Sequence, residues 1–108
     1  MARFSNPESK RQVLAQVSRI PSGSVVTYGD IGTKVGLNPR VVGSVMAGLS
    51  DVEIEQYPWW RVVGAGGTIP ALKYGFRGQV QINLLKDEKI EFSKRQKIVD
   101  FINRRQNI

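Results

Sequence analysis

Two short helical segments, residues 28–35 and 39–49, lie three residues apart and constrain the fold of this chain more than any other feature. The intervening Gly36-Leu37-Asn38 suits a tight turn, because glycine commonly ends a helix and asparagine can cap the next one. Pro39 then stands at the first helical position, where proline is favoured. Two helices joined in this way predict a helix-turn-helix.

The second of these segments has two unlike faces. Its apolar positions recur at helical spacing and belong in a core; they are Val42, Val45, Met46 and Leu49. The opposite face consists of Arg40, Gly43, Ser44 and Ala47. A helix that reads the major groove needs several long polar side chains, and only Arg40 is long here. This face instead indicates close approach to a minor groove with one inserted side chain. The alternative is a face of small residues against which a neighbouring helix packs.

The rest of the chain predicts a mostly helical α+β fold. A first amphipathic helix begins at Pro7, with Asn6 as its N-cap, and ends at Pro21, while residues 25–27 are extended. The stretch 57–70 combines an aromatic turn, a short strand and a glycine-rich turn. This combination predicts a small hairpin or wing.

Three later segments complete the prediction. The acidic stretch 51–56 is expected to be a surface loop or edge. A helix is expected over 79–87, with the apolar residues Val80, Leu84 and Leu85 facing inward. Ser93 is expected to cap a terminal helix that carries Ile98, Val99 and Ile102. Residues 1–108 are therefore expected to form one winged helix-turn-helix domain.

The sequence contains neither cysteine nor histidine among its 108 residues. It therefore offers no thiol nucleophile, no disulfide, no Cys/His zinc site and no histidine as a general base. We expect a protein without enzymatic activity, metal or cofactor.

Sixteen basic residues against nine acidic ones give a formal net charge of +7. This charge favours a polyanionic partner, either nucleic acid or an anionic membrane surface. A basic surface that merely maintains solubility is the alternative. No apolar run approaches the roughly 20 residues of a membrane span, and the first residues lack the apolar core of a signal peptide. We expect a cytoplasmic protein with no membrane partner.

Three sequence segments together resemble a known family. Residues 20–31 (IPSGSVVTYGDI), 40–46 (RVVGSVM) and 58–63 (PWWRVV) are similar, in order and spacing, to the DNA-binding domain of the O6-alkylguanine-DNA alkyltransferases. In that family the last segment reads Pro-Cys-His-Arg-Val, and the cysteine accepts the alkyl group. Trp59 stands at the cysteine position, which is the hallmark of the alkyltransferase-like proteins. The resemblance implies that the separate N-terminal domain of full transferases is missing.

The resemblance also implies a role for individual residues in rotating a damaged nucleotide out of the helix. Tyr28 matches the tyrosine that crowds the target phosphate, and Arg40 matches the arginine that fills the vacated place in the duplex. The small face that would enter the minor groove consists of Gly43, Ser44 and Ala47. The residues that would form the alkylguanine pocket are Tyr28, Trp59, Trp60 and Val62.

Other positions match the family as structural residues or depart from its pattern. Val62 stands where a backbone carbonyl reads the guanine, and Arg61 is expected to be mainly structural. Glu88 falls about where a glutamate orients the active-site histidine, but Trp60 occupies the histidine position. Leu72 stands where some relatives place an arginine near the lesion, and the neighbouring Lys73 is a possible substitute for it.

The function implied by the resemblance is recognition of a DNA lesion without repair. The partner would be double-stranded DNA containing O6-alkylguanine, bound by a monomer through the minor groove and flagged for nucleotide excision repair proteins. An active transferase is excluded by the missing acceptor. The competing interpretation is a winged-helix regulator that reads a specific sequence, which requires base-reading side chains on the segment 39–49.

Overall fold

The computed structural model describes residues 7–108. Within this range the helices are α1 (Pro7–Val17), α2 (Tyr28–Val35), α3 (Pro39–Ala47), α4 (Asp51–Gln56), α5 (Arg77–Asp87) and α6 (Phe101–Arg104), and the strands are β1 (Val26–Thr27) and β2 (Val62–Val63). Short 3-10 turns cover Trp59–Arg61, Ala65–Gly67 and Pro70–Lys73. The mostly helical α+β fold is confirmed. The predicted N-cap Asn6 lies outside the described residues.

The strands β1 and β2 pair in parallel and lie between two cores. Val26 is opposite Val62, and Thr27 is opposite Val63. Because successive side chains of a strand point to opposite faces, the sheet contributes to both cores. Val26 and Val62 belong to the first core, whereas Val25 and Val63 belong to the second.

The first core is built on the helix-turn-helix, and the second on α5. Buried residues of the first core come from α1, α2 and α3 and include Val13, Leu14, Val17, Ile31, Val42, Val45 and Met46, together with Leu49 and Trp59. The helix predicted over 39–49 ends at Ala47, with Gly48 as its C-cap, so Leu49 packs from just beyond it. The apolar face predicted for residues 39–49 is thus confirmed. The second core contains Ile69, Ile82, Leu85, Ile90 and Ile98.

The helix-turn-helix follows the sequence signals closely. The Asn38 side chain accepts a hydrogen bond from the Arg40 amide and caps α3, as predicted. Gly36 ends α2 in the left-handed conformation, at φ 76°, which glycine adopts without strain. A Cβ on Gly32 would lie 2.4 Å from the Leu37 carbonyl oxygen. The turn between α2 and α3 therefore depends on these two glycines.

The predicted hairpin within 57–70 does not form, because the partner of β2 is β1. After β2 the chain turns locally, and the Gly64 amide donates to the Thr68 carbonyl at 2.8 Å. A short antiparallel bridge instead joins Phe92 and Ile98.

The prediction for residues 51–56 is also wrong, since this stretch is helix α4. The Glu53 amide donates to the Ser50 hydroxyl, and the Ser50 amide donates to the Glu53 carboxylate. This reciprocal capping box starts the helix.

Two predictions near the C-terminal end need correction. Helix α5 places Gln81, Ile82 and Leu85 inward, whereas Val80 is 39% exposed. The terminal helix is only α6, because the Ser93 hydroxyl accepts from the amides of Arg95 and Lys97 and closes a turn there. In the part of the chain that the structure describes, no helix is long and apolar enough to cross a membrane.

Candidate nucleic-acid interface

Trp59 lies at the junction of the first core with the surface. It opens the 3-10 turn after Pro58 and is only 7% exposed. The Trp60 ring meets it edge to face, with ring centroids 6.1 Å apart. The Arg77 guanidinium carbon lies over the Trp59 ring, 4.9 Å from its centroid. One face of the indole is therefore covered by a cation.

Arg77 connects Trp59 with α3. Its Nη1 and Nη2 donate to the carbonyl oxygens of Ala47 and Met46, at 3.3 and 3.1 Å. These are the last carbonyls of α3, where a positive charge also interacts favourably with the helix dipole. The last turn of α3 has no basic residue of its own. Arg77 of α5 supplies that charge.

Tyr28 belongs to the same site. It is the first residue of α2, behind the capping box of Thr27 and Asp30, and its side chain is half-buried. Burial raises the pKa of its hydroxyl, and the positive charge of Arg77 acts in the opposite direction. The structure thus brings Tyr28, Trp59 and Arg77 together at the C-terminal end of α3.

Trp60 lies in a second, structural network around Glu88. Its indole Nε1 donates to Glu88 Oε2 at 2.8 Å. Arg61 donates to both Glu88 oxygens and reaches the Ile20 carbonyl through Nη1 at 2.8 Å. The Gly23 amide donates to Glu88 Oε1. This one carboxylate therefore joins the end of α5 to the 3-10 turn and to the turn before β1.

The charge of Glu88 is well compensated. Burial disfavours its ionised form, but the hydrogen bonds from Arg61, Gly23 and Trp60 outweigh this effect and hold its pKa below the ordinary value. The side chains of Arg61 and Glu88 are only 16% and 11% exposed. The structural role predicted for Arg61 agrees with this geometry.

The small face of α3 is open to the outside. A Cβ built on Gly43 would meet no atom of the described residues outside α3 within 4 Å. Arg40 and Ala47 are exposed, and Ser44 is half-buried. The alternative of a neighbouring helix packed on this face is therefore wrong at Gly43. Arg40 and Ala47 lie roughly 10 Å apart along the helix, at about 1.5 Å per residue.

Val62 is 1% exposed, and its carbonyl is already engaged inside the protein. The buried Gln81 side chain donates through Nε2 to the carbonyl oxygens of Val62 and Trp60, at 2.9 and 3.1 Å. A carbonyl oxygen has two lone pairs, and the buried Gln81 amide occupies one of those of Val62.

Comparison with known proteins places this geometry in a family. Residues 8–90 match the family model described as 6-O-methylguanine DNA methyltransferase, DNA binding domain. The chain is also 33% identical over 81 residues to alkyltransferase-like protein 1 of Schizosaccharomyces pombe, covering 74% of each chain. It belongs to the alkyltransferase-like proteins of this family.

Solved structures of relatives agree with this assignment. S. pombe Atl1, in complex with damaged DNA containing O6-carboxymethylguanine, superposes with a TM-score of 0.82 at 28% identity, covering 94% of this chain and 97% of that one. A variant of the Mycobacterium tuberculosis O6-methylguanine methyltransferase gives a TM-score of 0.62 at 27% identity, over 76% of this chain and 48% of that one. The helix-turn-helix type of fold is therefore confirmed.

A third relative matches over a shorter stretch. The methylated-DNA–protein-cysteine methyltransferase of Methanopyrus kandleri is 57% identical over 37 residues, or 34% of this chain. The matched stretch covers 28% of the length of that methyltransferase.

Sequence reasoning missed Arg77 and Gln81. Arg77 opens α5, where the helix dipole disfavours a cation, and this unfavourable position was the available signal. Gln81 lies among apolar positions of α5 with 2% exposure, and its partners come from a turn 19 to 21 residues away in the sequence. Among the described residues, no cluster of three potential metal ligands is found.

Proposed function

We propose that this alkyltransferase-like protein recognises O6-alkylguanine in duplex DNA without removing the alkyl group. The observation that carries the proposal is the site around Trp59. An indole stands at the position where the family resemblance places the acceptor cysteine, and no cysteine occurs in the sequence. A non-enzymatic role follows, because alkyl transfer to the protein needs a nucleophile such as a thiolate.

The DNA is bound through the exposed face of α3 in the minor groove. Gly43, Ser44 and Ala47 permit close approach of the helix backbone, and Arg40 is long enough to enter the base stack. The open space around Gly43 supports this role, because no packing inside the protein explains the missing side chain.

The damaged guanine is rotated out of the duplex to reach Trp59. An alkyl group on a stacked and paired guanine is not accessible to a protein pocket, and extrusion of the base costs a few kcal/mol. Tyr28 crowds the target phosphate, and the planar guanidinium of Arg40 fills the gap in the stack. These two residues lower the cost of keeping the base outside.

The extruded base is held near Trp59, where the alkyl group is removed from water. Such burial contributes roughly 25 cal/mol per Å² of apolar surface. Because Arg77 covers one face of the indole, the base either displaces this side chain or stacks on its outer side. The Val62 carbonyl, which accepts from Gln81, would use its second lone pair for an amino group of the guanine.

The consequence in the cell would be a persistent complex on the lesion. A protein that binds the damage and does not repair it serves as a flag, and we propose nucleotide excision repair proteins as the partners that it recruits. In this proposal the protein is a cytoplasmic monomer, and it binds the DNA alone before those partners arrive.

Competition binding tests the proposal. We expect duplexes with one O6-methylguanine, in several unrelated sequence contexts, to displace a labelled lesion duplex at lower concentration than their undamaged counterparts. After incubation with radiolabelled methylated DNA, the label should stay on the DNA. A ranking of competitors by sequence, independent of the lesion, would support the winged-helix regulator instead.

A further inference from the structure

Two large aromatic side chains lie on the surface between the turn Pro70–Lys73 and α5. Tyr74 is 78% exposed and Phe76 is 83% exposed. Each aromatic residue can bury about 150–250 Å² of surface, so the pair leaves much apolar area in water. Adjacent exposed apolar groups commonly mark an interaction site. We call residues 73–77 the aromatic loop.

The aromatic loop adjoins the proposed DNA-binding face. Phe76 directly precedes Arg77, whose guanidinium reaches the last carbonyls of α3 and the ring of Trp59. Ala47, on the exposed face of α3, is one of the two residues contacted through those carbonyls. The loop therefore continues the surface formed by α3 and the Trp59 site.

The composition of the loop favours a nucleic acid as its partner. Its two aromatic residues are flanked by cations, since Lys73 precedes Tyr74 and Arg77 follows Phe76. Lys73 is exposed, whereas the Arg77 guanidinium is directed at α3 and Trp59. Bases stack on aromatic rings whatever their sequence, and cations hold the phosphates. An apolar protein partner would explain the aromatic rings but not the flanking cations.

We infer that Tyr74 and Phe76 form a second DNA contact, which stacks on bases exposed when the guanine is extruded. This inference rests on the proposed function. It assigns the aromatic loop a role that the small residues of α3 cannot perform, because they have no rings on which a base can stack and Arg40 occupies only the place of the extruded guanine.

The test replaces both rings with alanine, in a Tyr74→Ala/Phe76→Ala variant. Stacking on an aromatic residue contributes enough that its loss should weaken binding of an O6-methylguanine duplex about tenfold or more. Both side chains are exposed, so the thermal unfolding midpoint should not change. The exchange Tyr74→Phe/Phe76→Tyr keeps both rings and should keep the affinity. Ile102→Ala, at a residue of α6 that is 84% exposed, is the matched control for loss of an exposed apolar side chain.

A 2-aminopurine next to the lesion reports stacking directly, since stacking quenches its fluorescence. We expect brighter fluorescence in the complex of the alanine variant than in that of the wild type. If the alanine variant and the wild type have equal affinity and equal fluorescence, the inference is overturned. A protein partner would then be the remaining explanation of the exposed aromatic rings. The wild-type preference for damaged over undamaged duplex is measured in the same titrations. Its absence would contradict the proposed function, whereas an unchanged alanine variant contradicts only the role of the loop.

Discussion

Arg77 holds the site around Trp59 together, and no local sequence pattern predicts this role. It stacks on Trp59 and donates to two carbonyls of α3. Replacement by alanine removes a cation–π contact and two hydrogen bonds at a half-buried position. We expect Arg77→Ala to lower the free energy of unfolding by about 1–2 kcal/mol. Urea titration measures this change. Arg77→Lys keeps the charge but not the planar stacking, so its free energy of unfolding should lie between those of the wild type and Arg77→Ala.

The same variant should expose the Trp59 indole. In a Trp60→Phe background Trp59 is the one tryptophan, and light at the long-wavelength edge of its absorption excites it without exciting the tyrosines. Quenching of this fluorescence by iodide should increase when Arg77 is removed. Quenching that is equal with and without Arg77 would show that the guanidinium does not cover the ring in solution.

A second prediction at the residue scale concerns methyl transfer from DNA to a cysteine placed at position 59. Trp59→Cys alone should accept little or no methyl group, because a free thiol has a pKa of about 8.5 and Trp60 is no base. Trp59→Cys combined with Trp60→His should react, since Glu88 already accepts a hydrogen bond from the ring at position 60. Mass spectrometry after incubation with O6-methylguanine DNA would show a gain of about 14 Da, the mass of one CH₂.

The single and double variants separate the two positions. Rapid methylation of Trp59→Cys alone would mean that Trp60 does not prevent alkyl transfer, without affecting the role proposed for Trp59. Glu88→Gln in the double variant is the control for orientation of the imidazole and should slow the reaction.

At the level of individual residues, the sequence predicted the site residues that match the family pattern. It did not predict residues whose hydrogen-bond partners lie far away in the sequence. Tyr28 and Trp59 come together in the structure, although their roles toward DNA stay predictions. Trp60 was expected in the lesion pocket, and its indole N–H is directed at Glu88. Arg77 and Gln81 act through backbone carbonyls of other elements, which no local pattern reveals.

Helix α3 gives a prediction in which stability and binding change in opposite directions. Glycine inside a helix costs roughly 0.5–1 kcal/mol relative to alanine, and a methyl group on Gly43 meets open space. Gly43→Ala should therefore stabilise the protein. It should also weaken DNA binding, by on the order of 1 kcal/mol, because the methyl group keeps the helix from the groove floor.

The matched control is Asn83→Ala on the exposed side of α5. It improves helix propensity away from the proposed interface, so its DNA affinity should equal that of the wild type. Unfolding titrations and fluorescence anisotropy measure the two quantities. Unchanged affinity of Gly43→Ala would contradict the placement of α3 in the groove.

The Glu88 network, which joins three elements, predicts a pH dependence of stability. The pKa of Glu88 is lower in the folded protein than its ordinary value, so folding favours the ionised form. Its contribution is complete above the pKa of an unfolded glutamate, about 4.3, and is lost as the pH falls through the folded pKa. Glu88→Gln should therefore destabilise the protein at pH 7, and the difference should become smaller as the pH falls below about 4.3.

The expected difference at pH 7 is on the order of 2 kcal/mol. Fully buried ion pairs lose about 3–5 kcal/mol when one partner is removed, and the residual exposure of this pair reduces that figure. Urea titrations of both proteins across this pH range measure the difference. A constant difference at all pH values would mean that the charge of Glu88 does not stabilise the fold.

The elements were predictable wherever the chain carries local signals. Both helices of the helix-turn-helix were predicted from caps and spacing, and α2 has the predicted bounds. The capping box of Ser50 and Glu53 is a local signal for helix α4, but the acidic and apolar residues of 51–56 alternate, which is typical of a loop or an edge, so this helix was not predicted. The partner of β2 was missed because parallel pairing joins residues 36 positions apart, as for Val26 and Val62, which a hairpin signal cannot describe.

At the scale of the whole molecule, the first core holds α3 and Trp59 together. In the proposed complex the net charge of +7 would supply affinity for any duplex, and this part should fall with salt by about 0.9 in log K per log salt for each phosphate neutralised. The lesion would add contacts to one extruded base. Preference for the lesion should therefore persist when salt weakens binding as a whole.

The most direct measurement is the ratio of dissociation constants for one duplex with guanine or O6-methylguanine at one position, determined at two salt concentrations. We expect the wild type to bind the damaged duplex more tightly at both salt concentrations, with a similar ratio. In Trp59→Ala the ratio should fall toward one while affinity for the undamaged duplex changes little. A wild-type ratio of one, or a ratio that survives Trp59→Ala unchanged, would contradict the proposal that this protein recognises alkylated guanine at Trp59.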